Sequence, residues 1–238
     1  MTPLPPGPYG CILADPPWAY KTYSGDAIPA RAMRNGLATA HYSTMQPSQL
    51  CALPVCGVTA KDCTLFLWVT WPTLLDAFDV IGAWGFTYKT CAFAWMKANV
   101  STVNLFDDPI DAYMGLGYWT RANSEVCLLA TRGSPKRLNA DVRQGIIEPR
   151  REHSRKPDCV HERIERLVVG PYLELFARQR RPGWDAWGNE TDKFASIPTA
   201  DADPDPAYDW RKNCRDSYDL AISEQRRDLL ARKGEGAG

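Results

Sequence analysis

The chain has 238 residues, enough for one α/β domain with a full core and a terminal extension. Lysine plus arginine and aspartate plus glutamate number 28 each, so net charge selects no partner. Eight cysteines without a C-x-x-C pair and only three histidines give neither a disulfide framework nor an obvious metal centre, and suit reduced thiols. No apolar run approaches the roughly 20 residues of a membrane helix and no signal-peptide pattern opens the chain, so a soluble, cytoplasmic protein is expected.

A proline-rich start leads into a short apolar run, Cys11-Ile12-Leu13-Ala14, which reads as a buried strand of a parallel sheet. Asp15-Pro16-Pro17-Trp18 ends it, because prolines cannot continue a central strand. In open α/β sheets ligands bind at the carboxyl ends of strands, which makes these four residues the candidate catalytic turn. They suit activation of an aromatic amine such as the 6-amino group of adenine. Its lone pair is delocalised into the ring, and the Asp15 carboxylate and the Pro16 carbonyl can each accept one of its two hydrogens. Prolines favour this because they donate nothing and fix φ. Trp18 can stack on the base, a contact of roughly 1–3 kcal/mol. The same four residues also read as a strand-ending turn with a core tryptophan, and alone they do not decide between the two.

Residues 19–41 show no period and read as a loop beside this turn, with Tyr20 and Lys21 as candidate substrate contacts. A short helix is expected from Ser48 to Cys56, closed near Gly57. Asp62 to Thr70 is a clear strand. Pro72 suits a first helical turn, and Leu74, Leu75, Phe78 and Ile81 give an amphipathic helix whose apolar face meets the sheet, closed by Gly82 and Gly85. Thr87 to Lys97 is a further strand.

Residues 98–122 are long and aperiodic, as functional segments often are, and Tyr118, Trp119 and Arg121 are candidate substrate contacts there. Val126 to Thr131 is a strand. Eight bases against three acids then occupy 132–156. This segment is either a solvated face or a phosphate-contacting surface carried by Arg143, Arg150 and Arg151.

Pro157 opens a helix over 157–169 with Val160, Ile164, Leu167 and Val168 on one face, and Gly170-Pro171 stop it. Lys156, beside that helix N-terminus, suits an anion. Tyr172 to Ala177 is a late strand, followed by the arginines 178, 180 and 181 and by Gly183 to Glu190. From Ser196 the composition turns acidic and proline-punctuated, with a weak helical stripe at 217–233. The domain is therefore expected to span 1–192, with 193–238 as linker and tail. Alternating strands and helices indicate an α/β fold with a mostly parallel sheet, and no G-x-G-x-x-G or Walker-type loop is present.

Seven motifs in this order resemble the MT-A70 family of adenine-specific N(6) methyltransferases, which includes the eukaryotic mRNA adenosine methyltransferase and bacterial and phage DNA enzymes. They are Ala14 to Trp18, His41 to Met45, Leu65 to Thr70, Gly117 to Arg121, Ser154 to Asp158, Glu174 to Arg178 and Gly188 to Glu190. The resemblance implies a Rossmann-like, S-adenosylmethionine-dependent fold in circularly permuted order, with the catalytic motif first and the cosubstrate strand late. It implies that Lys156 pairs with the methionine carboxylate and that Asp15, Phe176, Arg178, Asn189 and Glu190 line the cosubstrate, Asn189 near the ribose. Ala177 departs from the glycine often found there.

The implied activity is methylation of the 6-amino group of adenine in nucleic acid, DNA favoured over RNA, with no metal or membrane involved and the base flipped out or single-stranded. A cytosine amino-methyltransferase and a catalytically inactive nucleic-acid-binding subunit of the same fold are the alternatives. Oligomeric state is open.

Overall fold

The computed structural model describes residues 2–19, 44–98, 113, 115, 119–149 and 155–194. Tyr20, Lys21, Tyr118, Arg150, Arg151 and the expected helix at 217–233 lie outside these residues. The described elements are β1 (Tyr9–Ala14), α1 (Pro47–Cys51), β2 (Thr59–Val69), α2 (Leu74–Ala83), β3 (Thr87–Ala98), β4 (Ser124–Arg132), β5 (Gly145–Pro149), α3 (Cys159–Leu167), β6 (Tyr172–Leu175) and β7 (Trp184–Trp187).

The seven strands form one mixed sheet in the order β5-β3-β4-β2-β1-β6-β7. Only β4 runs antiparallel to its neighbours. β1 lies between β2 and β6, parallel to both, so a strand from the start of the chain pairs with one from near its end. This is the permuted order that the late strand suggested. Cys11 to Ala14 are at most 2% exposed, as a strand covered on both faces requires.

Alternation along the strands divides the core in two. Ile12, Ala14, Leu65 and Leu67 pack with Leu50 of α1 and with Val80 and Ile81 of α2. Cys11, Leu13, Phe66 and Trp68 pack with Val160 and Ile164 of α3 on the opposite face. Each aliphatic side chain buried this way contributes about 1.5–3 kcal/mol. Among the described residues no helix is long and apolar enough to cross a membrane.

α2 corrects the expected apolar face. Leu75 is 80% and Phe78 38% exposed, while Thr73, Ala77, Val80, Ile81 and Trp84 are buried. The cause is the 3-10 turn Trp71–Thr73, which contains Pro72 and sets the start of the α-helix after it. The buried stripe therefore begins at Thr73. The helix closes as anticipated near Gly85, whose φ of 81° lets Phe86 N–H reach Ile81 O and its own N–H reach Gly82 O, both at 3.0 Å.

Two strands were not anticipated. β5 lies inside the basic segment and pairs with β3 through Ala94↔Gly145 to Ala98↔Pro149. β7 extends the sheet past β6, with the Tyr172 and Trp184 rings stacked at 4.7 Å. β6 itself stops at Leu175, before the expected Ala177, because Phe176 takes φ 63° and turns the chain.

Candidate active site

Cys11 and Leu13 face α3, so strand parity carries Asp15, two residues on, to the same side at the carboxyl end of the central strand. Pro16 and Pro17 take the chain out of the sheet, and three backbone bonds clamp the turn. Trp18 N–H donates to Pro16 O at 2.8 Å, Met45 N–H to Pro17 O at 2.7 Å and Ala19 N–H to Met45 O at 3.0 Å.

Trp18 takes the core role. It is 4% exposed, its indole N–H donates to Trp68 O at 2.9 Å, and its ring packs with the α1 and α2 side of the sheet. It props the turn from the face opposite α3.

Four alternating charges cross the α3 face of the sheet. Lys156 Nζ donates to Asp15 Oδ2 at 2.7 Å, lies 3.3 Å from Glu125 Oε2, and Glu125 Oε1 accepts from Lys97 Nζ at 2.5 Å. All four side chains are between 14 and 21% exposed. Burial is the largest influence on both carboxylates and pushes both upward, but the outcomes differ. Asp15 ends above its ordinary range, with Lys156 and Arg178 pulling it only part of the way back and Glu125 adding to the rise. Glu125 has two lysines, which together overcome burial and bring it down to about 2. Glu125 is thus the firmly ionised anchor, and Asp15 the carboxylate with the greater appetite for a proton.

A cleft beside this cluster is lined by Asp15, Trp68, Arg155, Lys156, Phe176 and Arg178. The Lys156 ammonium lies 5.5 Å from the Trp68 ring centre. Trp68 Nε1 is buried and has no hydrogen-bond partner among the described residues. His161 and Glu174, paired at 2.9 Å, lie further along the same cleft.

The turns after β6 and β7 touch behind Phe176. A Cβ on Gly188 would stand 2.9 Å from Ala177 O, Ala177 N–H donates to Trp187 O at 3.0 Å, and Phe176 meets Trp187 edge-on at 5.5 Å.

Of the expected cosubstrate residues, the fold brings Asp15, Lys156, Phe176 and Arg178 together in one cleft. Glu190 connects to it through Arg178 Nε at 3.5 Å and is also paired with Lys193 at 2.8 Å. Asn189 is exposed on the turn after β7 and does not line the cleft. Of the expected substrate residues, Trp119 is 91% exposed and Arg121 and Arg143 are exposed, outside the cleft lining.

Lys97 and Glu125 were not anticipated. The usable signal was their strand position: β3 and β4 are antiparallel with Trp95 opposite Glu125, so Lys97 is the diagonal neighbour of Glu125 on one face, where opposite charges pair.

An acid and two prolines at the carboxyl end of β1, beside a cleft, in a sheet with helices on both faces, give the arrangement of a Rossmann-like α/β fold. The MT-A70 family model matches residues 9–190, and the chain belongs to that family. It is similar to the Type II methyltransferase M.MunI of Mycoplasma sp, at 34% identity over 209 residues that cover 82% of this chain and 84% of that protein. The N(6)-adenosine-methyltransferase MT-A70-like protein of Drosophila melanogaster is 29% identical over 190 residues, 78% of this chain and 27% of its own length. The N(6)-adenine-specific methyltransferase METTL4 of Homo sapiens is 28% identical over 199 residues, 79% of this chain and 39% of its own length.

Proposed function

We propose that this protein methylates the 6-amino group of adenine in nucleic acid, DNA in preference to RNA, with S-adenosylmethionine as methyl donor. The observation that carries the reading is Asp15 itself, a desolvated carboxylate at the end of the central strand, on the rim of the cleft and followed by two prolines. Lys156 occupies Asp15 Oδ2, which leaves Oδ1 to accept one amine hydrogen. The Pro16 carbonyl, one lone pair of which takes Trp18 N–H, accepts the other. Holding both hydrogens draws the amine nitrogen toward a tetrahedral shape and frees its lone pair for attack. Asp15, raised above its ordinary range, then takes up the proton that the nitrogen sheds.

The cleft fits the cosubstrate. Lys156, Arg178 and Arg155 offer cations to a carboxylate, Asp15 offers a counter-charge to a cationic centre, and Phe176 offers an aromatic face. When bound, S-adenosylmethionine supplies a methyl group on a sulfonium, already a good leaving group. Asn189 and Glu190 hold its ribose side in this reading, Asn189 being the more exposed of the two.

The substrate lies along Tyr20, Lys21, Tyr118, Trp119, Arg121, Arg143, Arg150 and Arg151, with its adenine flipped out or unpaired. The preference for DNA follows the relative matched over most of its length, a type II methyltransferase. Residues 1–192 form the catalytic domain and 193–238 an extension, in a cytoplasmic protein. The intact Asp15-Pro16-Pro17-Trp18 argues against an inactive subunit.

The test is incorporation of labelled methyl from S-adenosylmethionine into oligonucleotides with and without adenine. Adenine-dependent incorporation is expected, and equal labelling of adenine-free strands overturns the reading.

A further inference from the structure

Trp71 stands at the same carboxyl edge of the sheet as Asp15. β1 and β2 are parallel with Ala14 opposite Leu67, so β2 runs slightly past Asp15 and ends at Val69, one residue short of the turn that Trp71 opens. A hydrophobic side chain here has no core to enter, and the Trp71 ring is 53% exposed.

It is nevertheless held in place. Thr73 N–H and Thr73 Oγ1 both donate to Thr70 O at 3.0 Å, the Thr70 and Thr73 hydroxyls meet at 3.1 Å, and Pro72 fixes the backbone between them. The indole N–H donates to Ser124 Oγ at 3.0 Å. Ser124 adjoins Glu125, the residue that grips Lys156 beside Asp15. The polar end of the ring is thus held by Ser124, which lies with Val126 on the face of β4 opposite Glu125, and about half of the residue stays exposed at the edge.

The other exposed tryptophan among the described residues, Trp119, lies in the approach to the same Ser124. Asn123 O, also in that approach, accepts from Lys97 N–H at 2.8 Å. Leu75 and Phe78 are exposed too, but they run down α2 away from this edge, toward the Phe78–Tyr88 ring contact at the start of β3.

We propose that Trp71 is a stacking platform for a base of the nucleic-acid substrate next to the target adenine. The proposal rests on the methyltransferase reading above and adds a contact residue to it. An aromatic residue fixed at its polar end and half exposed suits a nucleobase, whose π-face stacks whatever its identity. Pre-ordering the ring removes part of the entropic cost of the contact.

The test is anisotropy of labelled single-stranded DNA and RNA oligonucleotides titrated with the full chain, as wild type, Trp71→Ala and Trp71→Phe. Trp71→Ala is expected to weaken binding about tenfold or more, the range of one lost stacking contact. The salt slope should stay unchanged, since no phosphate contact is removed. Trp71→Phe should restore most of the affinity, and KM for the oligonucleotide should rise in Trp71→Ala with KM for S-adenosylmethionine unchanged.

Wild-type affinity in Trp71→Ala overturns the proposal. So does a change of oligomeric state in Trp71→Ala, read by sedimentation, with oligonucleotide affinity intact; Trp71 would then be a contact between copies of the chain. If the wild type transfers no methyl group while its oligonucleotide binding depends on Trp71, the methyltransferase reading fails and the stacking contact stands.

Discussion

The Lys156 ammonium lies 2.7 Å from Asp15 Oδ2, joining positions 141 residues apart in sequence. It fixes the carboxylate at the end of β1 against the chain that enters α3. It also occupies one of the two carboxylate oxygens, Oδ2.

Asp15→Asn keeps the shape of the turn and removes the charge. Methyl transfer should fall by about 10²–10⁴-fold, the range of a proton-accepting contact. Stability should move the other way. Asp15 is raised above its ordinary 3.8 in the folded protein, so its stabilising share is present below that value and is lost as pH rises through the raised one. At neutral pH the ionised group opposes folding, and calorimetry should find the variant no less stable than wild type. A variant keeping more than about a tenth of the rate removes Asp15 from the chemistry.

Glu125→Gln should destabilise the protein by about 3 kcal/mol, because Lys97 and Lys156 lose the buried carboxylate between them. That is a fall in Tm of roughly 6–12 °C for a domain of this size. The folded value of Glu125 is depressed to about 2 from 4.5, so its contribution is present above pH 4.5 and lost as pH falls toward 2. Acid denaturation of Glu125→Gln should show a flatter limb across that window. A limb with the wild-type slope would mean that the lysines do not depend on Glu125.

Lys156→Met should weaken binding of S-adenosylhomocysteine by about tenfold, the cost of one charge-assisted contact, and should lower the methylation rate further because Asp15 loses its partner. Titration calorimetry separates the two effects. An unchanged dissociation constant with a reduced rate would restrict Lys156 to holding Asp15.

The turn at Asp15 was legible in sequence because its residue types act locally: an apolar run fixes a strand, and two prolines end it at the sheet's carboxyl edge. Seven motifs in order then pointed to the family and to the cleft formed by Asp15, Lys156, Phe176 and Arg178. What escaped depended on neighbours far along the chain. Leu75 and Phe78 are apolar yet exposed, since the turn at Pro72 rotates the buried stripe of α2. β7 is only four residues long, with a tryptophan at each end, too short a run to separate from a loop motif. Lys97 and Glu125 each lie one residue inside a strand end, as many polar residues do, and only the β3–β4 register makes them a pair. Trp18 offered two readings, and burial against Trp68 O settled it as a core residue.

Replacing Arg143, Arg150 and Arg151 together by alanine should flatten the salt dependence of oligonucleotide binding by roughly two to three units, one per lost phosphate contact at about 0.9 each on duplex DNA. Affinity should fall about equally for all sequences, with S-adenosylhomocysteine binding intact. A wild-type slope would make the segment a solvated face.

The most direct measurement is mass spectrometry of nucleosides from DNA and RNA incubated with the full chain and isotopically labelled S-adenosylmethionine, alongside Asp15→Asn. The expected result is labelled N(6)-methyladenine, more from DNA than from RNA, and lost in Asp15→Asn. Label found on the cytosine amino group, or on no base at all, would contradict adenine methylation by the Asp15 turn.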